Sequence, residues 1–277
     1  MFSDEVKTRE HFFEHGPVKT ERLTVRAIKV YADGSLGSRG ACLKKAYSDQ
    51  PGHYGFLLNS QKYMKEIADE ALENGFQVCT HAIGDSAVNV VLRIYADHLN
   101  GENNRRWRIE HCQVVDPKDH NYFGDYSIIP SVQPTHATSD MYWAEERLGK
   151  TRLANAYAYK ELKEEAGGTI VFGTDFPVEN INPLYTFYAA VERKDLKDFP
   201  SGGFQPENKI KKKDALRAMT IWAAYSNFEE NEKGSLEEGK VADFVILDQD
   251  IMKVEGHNIP NTKVLATYVN GEKVFGK

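Results

Sequence analysis

The sequence predicts an α/β fold built on a parallel sheet of the barrel kind, and three observations point to it. Four short apolar runs each end in a residue able to bind a divalent metal: Ala27-Ile-Lys29-Val-Tyr-Ala-Asp33-Gly, Phe76-Gln-Val-Cys-Thr-His81, Trp107-Arg-Ile-Glu-His111 and Thr169-Ile-Val-Phe-Gly-Thr-Asp175. Stretches with helical periodicity lie between these runs, and alternating strands and helices imply parallel pairing. Near residue 228 the helical period stops and only strand-like segments follow. An open doubly wound sheet collects its ligand at one crevice. Here the candidate ligands come from several strands, which favours a barrel with its site at the strand C-termini.

Each element can be justified in order. Residues 1–22 are polar and poorly patterned and form a separate N-terminal segment. Leu23 to Asp33 read as a strand, followed by a Gly-rich turn, Gly34-Ser-Leu-Gly37-Ser-Arg39-Gly40. Residues 60–74 read as an amphipathic helix through Tyr63, Met64, Ile67, Ala68, Ala71 and Leu72, stopped by Asn74-Gly75. A strand at 76–81 precedes a helix at about 86–99, with Val88, Val91, Leu92 and Tyr95 on one face. The next strand, 107–115, ends at Asp116-Pro117. Ser127-Ile-Ile-Pro-Ser-Val-Gln133 is a further strand leading to Pro134-Thr-His136. A helix over 151–166 stops at Gly167-Gly168, a strand covers 169–174, and a long loop contains Asn182-Pro183. A last helix, 213–226, opens at Asp214. The barrel region therefore spans 23–228. A β module over 229–277 follows, with a hairpin turn at Asn270-Gly271.

A chain of 277 residues can bury a sizeable core and lies near the length of one α/β barrel. Its 41% apolar and 27% charged content is that of a soluble globular protein. A net charge of −6 argues against nucleic acid as the main partner. No run approaches the roughly 20 apolar residues of a membrane span, so no membrane partner is expected. The first ten residues carry charges where a secretory leader needs an apolar core. Three cysteines, Cys42, Cys79 and Cys112, cannot all pair, and two fall inside strands expected to be buried. Both points suit a reducing, cytoplasmic setting, although a segment upstream would be free to carry an address of its own.

The chemistry concentrates in few residues. His81 and His111 end consecutive strands, and neighbouring parallel strands lie about 4.8 Å apart. Two imidazoles at one height could share or bridge a metal, or hydrogen-bond inside a core. Asp175 follows Val-Phe-Gly-Thr, where a buried carboxylate is costly unless a cation or metal pairs with it; a loop cap is the plainer reading. Beside a metal that lowers the pKa of water toward 7, such a carboxylate can accept a proton. Lys29, inside an apolar strand, should snorkel or lose its charge. A neutral lysine can react with carbon dioxide to form an anionic carbamate, but most strand lysines face solvent. His136 sits at a strand end where it could stabilise an oxyanion. Arg39, among glycines, is a candidate contact for an anionic substrate group or an ordinary surface residue. Tyr142 and Trp143 are candidates for lining a substrate pocket or for packing a loop.

Taken in order, Lys29-Val-Tyr-Ala-Asp33-Gly-Ser-Leu-Gly-Ser-Arg39, His81-Ala-Ile-Gly-Asp85, Ile109-Glu-His111, Gln133-Pro-Thr-His136, Gly173-Thr-Asp175-Phe-Pro and Gly234-Ser-Leu-Glu-Glu-Gly-Lys-Val-Ala-Asp243-Phe-Val resemble the amidohydrolase superfamily. The nearest branch is the amidohydrolase 3 group that includes N-substituted formamide deformylases. The resemblance runs from about residue 23 to the end. It implies a partial TIM-type (β/α)8 barrel, about the fourth to eighth β/α units, followed by a small β-sandwich segment. It implies that His81 and His111, on the fifth and sixth barrel strands, are metal ligands and that Asp175, on the eighth, is ligand and general base. Lys29 matches the position this branch is thought to carboxylate as a metal bridge.

Family members begin with β-sandwich strands and a barrel strand carrying His-x-His. Nothing before Lys29 has that pair, since His11 and His15 are separated by Phe-Phe-Glu. The expected activity is metal-dependent hydrolysis of a C–N bond, amide or formamide in type, in a small non-peptide substrate. One or two divalent ions are implied, zinc first and manganese or iron next. The alternative is a catalytically inert half or scaffold that needs a partner chain to complete the barrel. Open barrel edges leave apolar surface uncovered, so self-association is expected.

Overall fold

The fold is built outward from a run of parallel strands, seen in a computed structural model that describes residues 1–276. The chain divides into two contact-dense units, Met1–Val132 with Tyr142–Gly168, and Gln133–Met141 with Thr169–Lys277. In the first unit the strands in chain order are β1 (Phe2–Ser3), β2 (Val18–Lys19), β3 (Thr24–Val25), β4 (Ala27–Tyr31), β5 (Gln77–Ala82), β6 (Arg108–His111) and β7 (Ile129–Val132). β1, β4, β5, β6 and β7 lie side by side in that order, and the pairings β1–β4, β4–β5, β5–β6 and β6–β7 are all parallel. β2 and β3 form a separate antiparallel pair.

Helices Gln61–Glu73 and Asp85–Leu99 connect the strands, close to where the hydrophobic period places them. Ser60 caps the first by accepting the Tyr63 N–H, and Gly75 leaves it at φ 73°. Met64, Ile67, Ala68 and Ala71 are its buried face, with the i, i+3, i+4, i+7 spacing of a helix docked on a sheet. Val30, Val78 and Thr80 face Met64 and the Val91, Ile94 and Tyr95 side chains of the second helix. Alternation then gives the opposite face of the sheet to Lys29, Cys79, His81, Arg108, Glu110 and Ser131.

Several expectations need adjustment. Residues 1–22 are not patternless: they contain β1 and the helix Val6–His15. Phe2 is what orders them, stacked on Phe12 at 4.3 Å and edge-on to Phe76 at 5.4 Å. Aromatic contacts distant in sequence leave no local period to read. The helix expected over 151–166 is two, Ala144–Leu153 and Tyr159–Glu165, and the one over 213–226 is broken at Thr220 into Lys212–Met219 and Ile221–Ser226. The strand expected over 107–115 stops at His111, where the backbone turns left-handed.

The second unit holds the helices Pro134–Asp140 and Pro183–Glu192, the short strand β8 (Val171–Phe172), and an antiparallel sheet of β9 (Phe244–Leu247), β10 (Val264–Val269) and β11 (Glu272–Gly276) in the order β11-β10-β9. Phe244 and Tyr268 stack on one face of that sheet at 4.5 Å. The other face exposes Val245, Leu265, Val269 and Phe275. Among the described residues no helix is long and apolar enough to cross a membrane.

Candidate functional site

Tyr31 and His81 are register partners at the exits of β4 and β5, with ring centroids 5.4 Å apart. Lys29 lies one pleat further back on the same face, its Nζ 5.0 Å from the Tyr31 ring. His111 needs a different explanation. It pairs with Ala82, so strand alternation would turn its side chain away from His81. The backbone takes φ 80° at His111 and φ 46° at Cys112, and the His111 ring lies 4.4 Å from the His81 ring, edge to face. Left-handed geometry is uncommon for a residue with a side chain and is retained where surrounding structure and function demand it.

Asp33 sits just beyond β4 and is fully buried. Its Oδ1 accepts the Ile83 N–H at 3.0 Å, and its Oδ2 accepts those of Gly84 at 2.9 Å and Cys42 at 2.8 Å. Burial pushes this carboxyl up, to about 7, and the three backbone donors oppose the rise. Three donors converging on two oxygens suit the ionised form. Asp85 is the first residue of the helix Asp85–Leu99 and not its N-cap. Gly84 holds that place, and Asp85 accepts the Lys44 N–H at 2.8 Å.

The remaining candidates of the first unit are Arg39, Tyr142 and Trp143. Arg39 grips Asp49 through Nε at 3.2 Å and Nη2 at 2.7 Å, and Arg147 holds the same carboxylate. Trp143 stacks under the Arg147 guanidinium and closes on Gly37, where a Cβ would come within 3.3 Å of the indole. Tyr142 is exposed. Polar residues absent from the expected set also line the His81 face: Arg108 donates from Nε to Glu110 at 3.1 Å, and both are buried. Their i, i+2 spacing, alternating with the apolar Trp107 and Ile109, was the available signal.

In the second unit His136 and Asp175 come together, with Nε2 of the imidazole 3.7 Å from Oδ2 of the carboxylate. His136 is presented by the helix that opens at Pro134, and Asp175 adopts φ 57° in the loop after β8. Glu179 accepts a hydrogen bond from the Ser139 hydroxyl at 2.6 Å, which ties this loop to the His136 helix. Burial, and secondarily the Asp175 charge, push the Glu179 carboxyl up.

Burial lowers His136 to about 4. A histidine neutral in the fold contributes full stability above its unfolded value near 6.5. That contribution is lost as pH falls from 6.5 toward 4, and the loss levels off below. The metal-free chain should lose up to about 3 kcal/mol of unfolding free energy on this account. Urea unfolding at pH 7, 5.5 and 4 checks it against His136→Gln, whose profile should be flatter; parallel profiles would refute it.

Imidazole and carboxylate are the donor types that hydrolytic divalent ions take; the first unit offers two adjacent imidazoles and the second an imidazole beside a carboxylate. The chain is 36% identical over 265 residues to the protein LONG AFTER FAR-RED 3 of Arabidopsis thaliana, covering 95% of this chain and 45% of that protein. It is 24% identical to an N-substituted formamide deformylase of Arthrobacter pascens, over 88% of this chain and 44% of that enzyme. A crystal structure of an uncharacterized metal-dependent hydrolase from Pyrococcus horikoshii superposes with a TM-score of 0.80 at 31% identity, over 90% of this chain and 50% of that one. The chain thus spans about half the length of the relatives it matches. Residues 3–275 match the sequence model of one family over nearly the whole chain, and with the motifs and the parallel sheet in agreement, the chain belongs to the amidohydrolase family.

Proposed function

We propose that this chain carries the metal-binding part of a hydrolase that cleaves a C–N bond, amide or formamide in type, in a small non-peptide substrate. One observation carries the reading: imidazoles from adjacent parallel strands stand 4.4 Å apart at the strand exits, one of them on left-handed backbone. His81, His111 and Asp175 are the proposed ligands, and Lys29 would be a further anionic one once its neutral amine has added carbon dioxide and released a proton to give the carbamate. Imidazole and carboxylate donors suit zinc first, then manganese or iron. One or two such ions, when bound, supply a polarised carbonyl and a water acidified toward neutrality.

The protein's own groups do the rest. Asp175 takes the proton of the attacking water and returns it to the leaving nitrogen. His136, kept neutral at pH 7 by its burial, donates a ring N–H to the oxygen that gains negative charge. Tyr142 and Trp143 are proposed to line the substrate's approach. Arg39 would reach an anionic substrate group only by releasing Asp49. The free thiols of Cys42, Cys79 and Cys112 support a reducing, cytoplasmic setting.

Metal analysis of the purified chain is the direct test. One to two zinc equivalents with turnover of a formamide and amide panel are expected. No metal and no turnover would overturn the reading in favour of an inert half. We also propose that the exposed Val245, Leu265, Val269 and Phe275 face packs against a second copy, as one layer of a β-sandwich. Light scattering should then give a dimer or larger, and a 31.4 kDa monomer at tens of micromolar would refute it.

A further inference from the structure

We propose that Asp33 is a positioning residue: its buried carboxylate clasps the exit of β5 and faces the Nε2 edge of His81, so that the proton stays on Nε2 and Nδ1 is the nitrogen offered to a metal. The proposal rests on the reading of His81 as a ligand, but its geometry stands independently of any ion.

Three features carry it. The carboxylate joins segments far apart in sequence, the end of β4, the Ile83-Gly84 turn that follows His81, and Cys42. The joint is tight. A Cβ on Gly84 would lie 2.2 Å from the Cys42 carbonyl oxygen, and that same oxygen accepts the Ser86 and Ala87 N–H groups at the start of the next helix. The β5 exit is in turn bonded to the β6 exit, through Cys112 N–H to the Ala82 carbonyl at 3.2 Å and Val114 N–H to the Ile83 carbonyl at 2.9 Å. Moving the Asp33 clasp therefore moves the turn that sets His81 against His111.

The second part concerns the ring itself. His81 Nε2 is enclosed, and it lies 3.7 Å from Asp33 Oδ1. That separation is too long for a hydrogen bond but short enough for the carboxylate to favour a proton on the nearer nitrogen. Histidines that bind metal are commonly fixed in one tautomer by an acceptor at the other nitrogen, and loss of such a partner costs about 10- to 100-fold in metal affinity. No ordinary hydrogen-bonding role of Asp33 requires the His81 ring to sit against it, because its three backbone donors already occupy both oxygens.

The test is nitrogen-15 spectroscopy of histidine-labelled, metal-free chain at pH 8, with the His81 signals assigned by their loss in His81→Gln. A protonated Nε2 and unprotonated Nδ1 are expected, and a protonated Nδ1 overturns the proposal without any variant of Asp33. Zinc titration of the same sample separates this from the metal reading. A shift confined to Nδ1 supports both, whereas the Nε2–H tautomer with no response to zinc leaves the Asp33 role standing and removes the ligand role. In Asp33→Asn the tautomer preference should weaken and zinc affinity fall by about 10- to 100-fold. Unchanged tautomer populations and affinity in a folded Asp33→Asn chain also overturn the proposal.

Discussion

Replacing His111 with asparagine should strip the chain of bound divalent metal and abolish any hydrolysis that depends on it. Asparagine is the informative choice because His111 sits at φ 80°, a conformation that asparagine tolerates well and alanine poorly. The backbone turn is then kept while the imidazole is lost. The loss of an outer hydrogen-bond partner of a ligand already costs about 10- to 100-fold in metal affinity. Removing the ligand itself should therefore exceed 100-fold, enough to leave the chain metal-free at micromolar concentrations. His120→Gln is the matched control. His120 is equally buried, but its Nδ1 faces Glu161 at 3.4 Å, and it belongs to no candidate set. Its replacement should lower stability and leave metal content unchanged. Metal analysis and calorimetric zinc titration of both variants, with circular dichroism to confirm folding, make the comparison. Retained metal and turnover in folded His111→Asn would show that the roles proposed for the histidine pair are wrong.

What the sequence disclosed, and what it withheld, follows from the range of the interactions involved. The helix over 60–74 was legible because its cap, its apolar stripe and its stop at Asn74-Gly75 are all local, and the structure places it at Gln61–Glu73. The place of His81 at a strand end was legible because it closes a short strand-like run bounded by turn and helix signals. The position of His111 was legible for the same reason, but the direction of its ring was not. Alternation would send it the wrong way, and only the left-handed pair His111-Cys112 turns it toward His81. Asp33 marked the end of a strand, yet its use as a clasp depends on N–H groups contributed by Cys42, Ile83 and Gly84. Residues that act across such separations leave no periodic signal. The same holds for Phe2, whose stacking on Phe12 orders a segment that reads as featureless.

The largest loss of stability from a single truncation is expected at Trp107. This side chain is wholly buried just before β6, its indole N–H donates to the Phe76 carbonyl at 3.2 Å, and its ring meets Tyr95 edge-on at 4.9 Å. Tyr95 in turn bonds the Thr80 hydroxyl at 2.8 Å and donates to the Arg108 carbonyl at 3.1 Å, so the aromatic pair ties the helix Asp85–Leu99 to both β5 and β6. Trp107→Ala removes that packing, leaves a large cavity and strips the Phe76 carbonyl of its donor, at a cost of about 3–5 kcal/mol. Trp107→Phe keeps an aromatic ring against Tyr95 and loses mainly the hydrogen bond and part of the volume, which should cost about 1–3 kcal/mol. Urea unfolding followed by far-ultraviolet circular dichroism would measure both, and a loss under about 1 kcal/mol for the alanine variant would mean that the pair does not bear on the core. The two variants also separate stability from the site. Trp107 immediately precedes β6 and His111 closes it, four residues on and roughly 13 Å away at strand rise, beyond the reach of a local repacking. A folded Trp107→Phe chain should therefore bind zinc as the parent does, because the His81–His111 spacing is set at the strand exits by the bonds Cys112 to Ala82 and Val114 to Ile83 and not by the aromatic packing at the other end.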